Sequence, residues 1–155
     1  MQIVSTTHDH HHDLTAWAVH ASAALSRPGT RAGGARQAVL ASLAGQDCCA
    51  SAQEIHARIR ASGPPVGIAS VYRTLDLLHG MNLLTRIDTG DGVARYEPAH
   101  PDGEHHHHLL CDTCGAVEAF HDDALEQAIH GVATRVDFRV TAHDVLLRGV
   151  CRICR

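Results

Sequence analysis

Two cysteine pairs carry the clearest chemical signal in the chain, Cys111-x-x-Cys114 and Cys151-x-x-Cys154. Four thiolates brought together match the tetrahedral coordination of structural Zn²⁺ and leave no open position for a substrate. The long segment between the pairs must form a strand–helix–strand excursion that returns to the first pair. Two independent redox or buried pairs are the weaker reading, because neither pair opens a helix in a thioredoxin-like context. We therefore predict a structural zinc site.

A second signal is the run of four histidines at 105–108, directly before Leu109. On a strand, the two-residue period sends His105 and His107 to one face and His106 and His108 to the other. One short strand could then supply ligands to two different metal sites. Further candidate ligands are Glu126 and His143 in the back half, and Glu97, His100 and Cys49 towards the front half. The alternative is a solvated polar strand.

The elements that must position these residues fall into two sets. The apolar pattern predicts helices over 14–26, 32–44, 51–62 and 68–79, then strands over 83–88 and 93–97. Ser51 and Glu54 form a capping-box signature, and Gly80 is expected to stop the fourth helix. Three helices followed by a hairpin predict a winged helix-turn-helix. The histidine-containing stretch at 1–13 is interpreted as a disordered tail, the alternative being an accessory metal-loading tract.

The back half predicts strands over 105–111 and 116–120, a helix over 122–134 and a strand over 136–150. The fold class is thus α+β, with four segments: an N-terminal extension at 1–26, a winged helix at 27–97, a hinge at 98–104 and a metal-binding domain at 105–155. Charge follows the same division. Residues 27–95 hold eight Arg and five acids (+3), whereas residues 96–155 hold five Arg and ten acids (−5). A basic front half favours nucleic acid as its partner.

Composition limits the remaining function classes. The 155 residues include 15 histidines and 6 cysteines, and no apolar run approaches the ~20 residues of a membrane span. No charged-then-apolar leader opens the chain, which is expected to be soluble and cytoplasmic with no membrane partner. In a reducing compartment, cysteines serve as metal ligands more often than as disulfides.

Taken together, these motifs resemble the ferric uptake regulator family of dimeric, metal-dependent bacterial repressors. The resemblance covers roughly residues 30–155. It is carried by GIASVYRTL at 67–75, RYE at 95–97, HHHHLLCDTCG at 105–115 and GVCRIC at 149–154. It implies an N-terminal winged-helix DNA-binding domain, a C-terminal α/β dimerisation domain and a homodimer.

The resemblance also implies three metal sites. The structural zinc ligands would be Cys111, Cys114, Cys151 and Cys154. A site inside the dimerisation domain would use His105, His107, Glu126 and His143. A sensing site at the hinge would use Glu97, His106 and His108, with a further ligand that is commonly His. Here the aligned residue is Cys49, beside Cys48. Three outcomes are open: Cys49 binds metal as thiolate, His100 replaces it, or Cys49 is a bystander.

For DNA contact, the resemblance makes the helix over 68–79 the recognition helix, with Ser70, Tyr72 and Arg73 on its polar face and Arg36 anchoring phosphate from an earlier helix. The double-stranded operator would be palindromic, because two-fold symmetric dimers read two half-sites. Members usually open the first conserved helix with Thr-x-Gln-Arg, of which this chain keeps Arg36.

The sequence thus predicts a metal-responsive repressor of iron- or zinc-uptake genes, with no catalytic residues. Zn²⁺ and Fe²⁺ are nearly level as the sensed metal, and Mn²⁺ and Ni²⁺ are also compatible with His and carboxylate ligands. Two other classes are kept as alternatives. One is a metal-dependent hydrolase that uses the His cluster, and the other is a His-rich metal chaperone or storage protein.

Overall fold

The computed structural model describes residues 10–26, 33–99 and 106–155, with side chains from residue 14 onward. The predicted Pro28–Gly29 break and His100 and His105 lie outside these residues. The chain divides into two compact units between residues 104 and 105. No helix in the described part is long and apolar enough to cross a membrane.

The N-terminal unit has the predicted order of helices followed by a hairpin. Its elements are α1 (His10–Leu25), α2 (Gly34–Ala44), β1 (Ala50–Ser51), α3 (Ala52–Ser62), α4 (Ile68–Gly80), β2 (Leu84–Asp88) and β3 (Ala94–Pro98). The strands form an antiparallel sheet in the order β1-β3-β2. The two-residue strand β1 was not predicted, because its length is too short to show any alternation of apolar residues.

A single apolar cluster holds this unit together. Val71, Leu75 and Leu78 of α4 are fully buried, as their i, i+4, i+7 spacing predicts. The first helix belongs to the same core, since Trp17, Ala21 and Leu25 are buried in it. The segment interpreted as an extension is therefore an integral part of the fold, and its helix begins at His10 within the stretch expected to be disordered.

Two helix ends show how local sequence sets the boundaries. The Ser51 hydroxyl accepts from the Glu54 amide at 3.2 Å while the Glu54 carboxylate accepts from the Ser51 amide at 2.7 Å, which is the predicted capping box. α4 ends at Gly80, as predicted, but Gly80 is not the residue in the left-handed region. Asn82 takes the left-handed position instead (φ 56°), because its short polar side chain tolerates that conformation. The Leu83 amide then donates to the Leu78 carbonyl at 2.9 Å.

The C-terminal unit contains β4 (His107–Cys111), β5 (Val117–Phe120), α5 (Asp123–Arg135) and β6 (Leu146–Gly149). Strand order is β5-β4-β6, with β4 antiparallel to β5 and parallel to β6. The predicted strand over 136–150 is wrong for residues 136–145. Only Leu146–Gly149 pair with β4, and the alternating Val136 and Phe138 are 64% and 68% exposed, with no strand partner among the described residues.

Candidate metal centres and DNA-binding surface

The four cysteines of the C-terminal unit meet at one end of its sheet. Their sulfur atoms all lie within 4.8 Å of one another, and the Sγ atoms of Cys114 and Cys151 are 3.9 Å apart. Strand pairing causes this meeting. Cys111 ends β4 opposite Gly149 of β6, so the second pair emerges beside the first. The Arg148 guanidinium closes the arrangement by donating to Asp112 at 2.7 Å.

Backbone amides prepare this cluster for a cation. The Cys151 amide donates to Cys111 Sγ at 3.4 Å, and this bond, followed by one from the Cys114 amide, lowers the pKa of Cys111 to about 6. Hydrogen bonds with the neighbouring thiols of Cys151 and Cys114 raise the pKa of Cys154 to about 12. The cluster therefore loses one proton readily and holds another until a cation replaces it. These donors fit tetrahedral zinc.

A second cluster of the C-terminal unit offers nitrogen and oxygen ligands instead of sulfur. His107 Nε2 is 2.7 Å from Glu126 Oε1, and His143 Nε2 is 3.1 Å from Glu126 Oε2. Glu126 thus bridges two imidazoles, which come from β4 and from the segment before β6. The three ligand atoms lie within 4.8 Å of one another. Three of the four residues expected at this site are brought together, and the fourth, His105, lies outside the described residues.

His106 and His108 of the histidine run differ in their positions relative to β4. His106 directly precedes β4, and His108 is paired in it with Ala119 and Leu146. His108 is adjacent to His107 in sequence but is not a member of the His107–Glu126–His143 cluster.

Within the N-terminal unit, Cys49 directly precedes β1 and Glu97 lies in β3. Ala50 pairs with Tyr96 and Ser51 with Arg95, so continuing the antiparallel register sets Cys49 opposite Glu97. Residues directly opposite each other have Cβ atoms about 5 Å apart. The thiol of Cys48 contacts Cys49, with 3.8 Å between the sulfurs. The hydrogen bond with Cys48, burial and the charge of Glu97 all raise the pKa of Cys49 above its ordinary range.

The exposed face of α4 carries the predicted DNA-contacting residues. Tyr72 is 39% exposed, and its hydroxyl accepts from Gln53 Nε2 of α3 at 2.9 Å. The Arg73 guanidinium donates to the Ser70 hydroxyl at 3.0 Å. Arg36 is half-buried on α2. The contact of Gln53 with Tyr72 was not predicted, because nothing in the spacing of α3 identifies it.

The hairpin tip has its own network. Asp91 Oδ1 accepts from the Thr89 hydroxyl at 2.8 Å and from the Val93 amide at 3.0 Å, while Arg95 donates to Oδ2 at 3.0 Å. These bonds, with that from Thr89 the strongest cause, lower the pKa of Asp91 to about 2. The positive φ of Gly90 and Gly92 (74° and 79°) allows the tight turn. Arg95 therefore stabilises the hairpin turn through its guanidinium.

A winged helix with a polar recognition-helix face, joined in one chain to clusters of Cys, His and Glu, defines the class of metal-responsive transcriptional repressors. Comparison with known proteins agrees. The sequence model of the Ferric uptake regulator family matches residues 27–148. The chain is 35% identical over 105 residues to the ferric uptake regulation protein of Bacillus subtilis, covering 67% of this chain and 70% of that protein.

Solved structures show the same relationship. The Helicobacter pylori ferric uptake regulator, described as having three functional metal binding sites, superposes with a TM-score of 0.78 at 27% identity, covering 91% of this chain and 93% of that one. The Vibrio cholerae regulator superposes with a TM-score of 0.73 at 30% identity, covering 84% and 98%. The chain belongs to the ferric uptake regulator family. The resemblance, the α+β fold class and the repressor class predicted from sequence are confirmed, and the hydrolase and chaperone alternatives are not favoured.

Proposed function

We propose that the protein is a homodimeric repressor of metal-uptake genes that binds a palindromic operator when a regulatory divalent cation is bound. The observation that carries this proposal is that a chain of this family groups cation ligands beyond its four-cysteine cluster, as the His107–Glu126–His143 cluster shows. Its carboxylate bridge and two imidazoles suit Zn²⁺, Fe²⁺, Mn²⁺ or Ni²⁺. As a regulator it has no catalytic residues and acts in the cytoplasm, where its operator is.

The four-cysteine cluster has a different role in this proposal. Cys111, Cys114, Cys151 and Cys154 bind one structural Zn²⁺, which supplies folding free energy and takes no part in the response. Four thiolates complete a tetrahedral ion, so no position is left open for exchange with a signal.

The sensing site is proposed to combine ligands of both units, namely Glu97 and Cys49 of the N-terminal unit with His106 and His108 of the C-terminal unit. His100 is the alternative to Cys49. Binding across the units couples the cation to one arrangement of the recognition helices, which is a shift of conformational population. Moving such an equilibrium from 1:99 to 99:1 requires about 5.5 kcal/mol of differential binding.

On the DNA, α4 is proposed to lie in the major groove of each half-site. Tyr72 and Ser70 then face base edges, Arg73 contacts phosphate, and Arg36 adds a second phosphate contact from α2. The bond from Gln53 to Tyr72 and that from Arg73 to Ser70 restrict these side chains before DNA arrives. Their ordering therefore costs less on binding.

Dimer formation is proposed through the C-terminal unit. Several of its large apolar side chains are at least 48% exposed in the single chain: Val132, Val136, Phe138, Leu147, Val150 and Ile153. A second copy that covered them would contribute about 25 cal/mol of stabilising free energy for each Å² of apolar surface removed from water.

The test is operator binding by the full-length, zinc-loaded protein with and without added Zn²⁺, Fe²⁺ or Mn²⁺, using a sequence obtained by selection from random DNA. We expect the effective cation to raise DNA affinity at least ~100-fold, which is about 2.7 kcal/mol. Arg73→Ala should weaken binding without changing cation affinity, whereas Arg152→Ala in the C-terminal unit is the charge-matched control. Equal DNA affinity with and without cation would overturn the proposal.

A further inference from the structure

Cys48 and Cys49 form a dithiol that the structural zinc cluster does not use. Both are half-buried, and they lie at the mouth of a surface cleft of the N-terminal unit. Polar side chains line the same cleft: Gln46, Asp47, Glu54 and Arg58. Both cysteines therefore line one surface cleft, within one compact unit of the chain.

The separation of these sulfurs matches that of two ligands on one tetrahedral ion. Zn–S bonds of about 2.3 Å at a tetrahedral angle place two thiolate sulfurs roughly 3.8 Å apart. The Cys48 and Cys49 sulfurs are 3.8 Å apart, and those of Cys114 and Cys151, in the cluster with four cysteines, are 3.9 Å apart. The pair thus already has the spacing that a shared cation would impose.

A carboxylate on the neighbouring strand can complete the donor set. Continuing the register of β1 against β3 by one residue sets Glu97 opposite Cys49, near enough for its charge to raise the pKa of that thiol. Two thiolates and one carboxylate would repel one another, and a bound cation that replaces the two thiol protons would offset that repulsion. This donor set is richer in sulfur than the imidazoles and carboxylate of the His107 cluster.

We infer that Cys48 and Cys49 both bind the regulatory cation and make the sensing site selective for Zn²⁺ over Fe²⁺ and Mn²⁺. The inference rests on the proposed function, because it names the ion of that same sensing site and adds Cys48 as a ligand. Thiolates favour zinc, whereas carboxylate and water favour Mn²⁺. Each thiol releases its proton to solvent on binding and no electrons are transferred.

The direct test is anaerobic addition of Co²⁺, a spectroscopic substitute for Zn²⁺, to full-length protein whose four-cysteine cluster is already filled with zinc. We expect the added Co²⁺ to give a sulfur-to-cobalt charge-transfer band while the zinc content stays unchanged. Cys48→Ser and Cys49→Ser should each remove about half of that band, since each removes one of two sulfur ligands. His107→Ala is the control, because it should lower the amount of bound Co²⁺ without weakening the band.

The second measurement is operator binding in buffered Zn²⁺ and Fe²⁺ series. Cys48→Ser should raise the free Zn²⁺ needed for half-maximal binding at least about tenfold, the scale of lost ligand support at metal sites. Cys49→His should keep the response to cation but move its preference towards Fe²⁺, because imidazole suits both ions.

Three outcomes distinguish this inference from the proposed function. Added Co²⁺ without a charge-transfer band, together with operator binding that still needs cation, would overturn the dithiol site and leave the repressor proposal intact. Oxidation of the pair to a disulfide without any loss of the zinc response would also overturn it. Operator binding that needs no cation would instead overturn the proposed function, whatever the Co²⁺ spectrum shows.

Discussion

The two units of this protein are stabilised by different means. The N-terminal unit buries a continuous apolar cluster that joins four helices and the hairpin. The described residues of the C-terminal unit, 106–155, contribute no member to that cluster, and Phe138 and Ile153 are 68% and 85% exposed. Around its sheet lie two groups of side chains that can bind cations. The comparison teaches that one unit has a large apolar core of its own, whereas the proposed function has the other stabilised by metal and by a second chain.

The largest effect should come from removing the zinc ligands. Cys151→Ser, or a strong chelator, should unfold the C-terminal unit and leave the other folded, since structural zinc supplies roughly 10–16 kcal/mol of apparent binding energy in small zinc domains. Hydrogen exchange should show lost protection in β4 and retained protection in α4. Cys48→Ser is the matched control, expected to preserve β4. Full protection of β4 in the zinc-free protein would contradict the comparison.

The next effect should come from the apolar core. Leu75→Ala should destabilise the N-terminal unit by about 2–5 kcal/mol, because Leu75 is fully buried. Leu77→Ala, on the exposed side of the same helix, should cost less than about 1 kcal/mol. Urea unfolding followed by the fluorescence of Trp17, the one tryptophan of the chain, measures both. Zinc content should stay the same in both variants, and equal costs would count against the assignment of the core.

A smaller effect should separate the two clusters of the C-terminal unit. Glu126→Gln removes the carboxylate that bridges His107 and His143, so affinity for a second cation should fall about 10–100-fold while the zinc of the cysteine cluster is retained. Titration calorimetry on zinc-loaded protein checks this. Glu118→Gln, on an exposed position of β5, is the control. Loss of the cysteine-bound zinc in the Glu126 variant would show that the clusters are not independent.

The smallest effect should come from the capping box. Ser51→Ala should cost about 1 kcal/mol, whereas Ser62→Ala at the other end of α3 should cost less. Burial raises the pKa of Glu54, but the bonds from Ser51 outweigh it, and the pKa lies below the ordinary value of 4.5. A lowered pKa means that this stabilisation is present above the unfolded pKa and is lost as pH falls through the folded one. Urea midpoints of the two variants should therefore converge in acid.

Local signals in the sequence were strong enough to predict most of the N-terminal unit. The Ser51–Glu54 pair and the spacing of Val71, Leu75 and Leu78 act within one helix, so their outcome depends little on the rest of the chain. The end of α4 was different. The helix ends at Gly80, but the left-handed conformation falls two residues later, at Asn82.

Features that depend on pairing between distant segments were harder to predict. Nothing near Ala50 signals a strand, because β1 exists only through its bonds to β3. The segment at 136–145 has the alternating pattern of a strand but forms none, because no described strand pairs with it. Among the candidate site residues, the four cysteines stood out by their spacing, whereas Glu126 and His143 were candidates by residue type that the family resemblance grouped with His107. The meeting of the four cysteines follows from the β4–β6 register, which the spacing of the cysteines does not show.

The carbonyl oxygen of Leu83 accepts two hydrogen bonds, from the Trp17 indole at 2.8 Å and from the Ala99 amide at 3.1 Å. One atom thereby fastens the first helix, the turn after α4 and the strand that leaves towards the second unit. Any displacement of residue 99 must either carry this turn along or break its bond to it. Three stretches of chain thus share this one oxygen as a hydrogen-bond partner. Leu83 follows Leu78, a residue in the last turn of α4, by five positions.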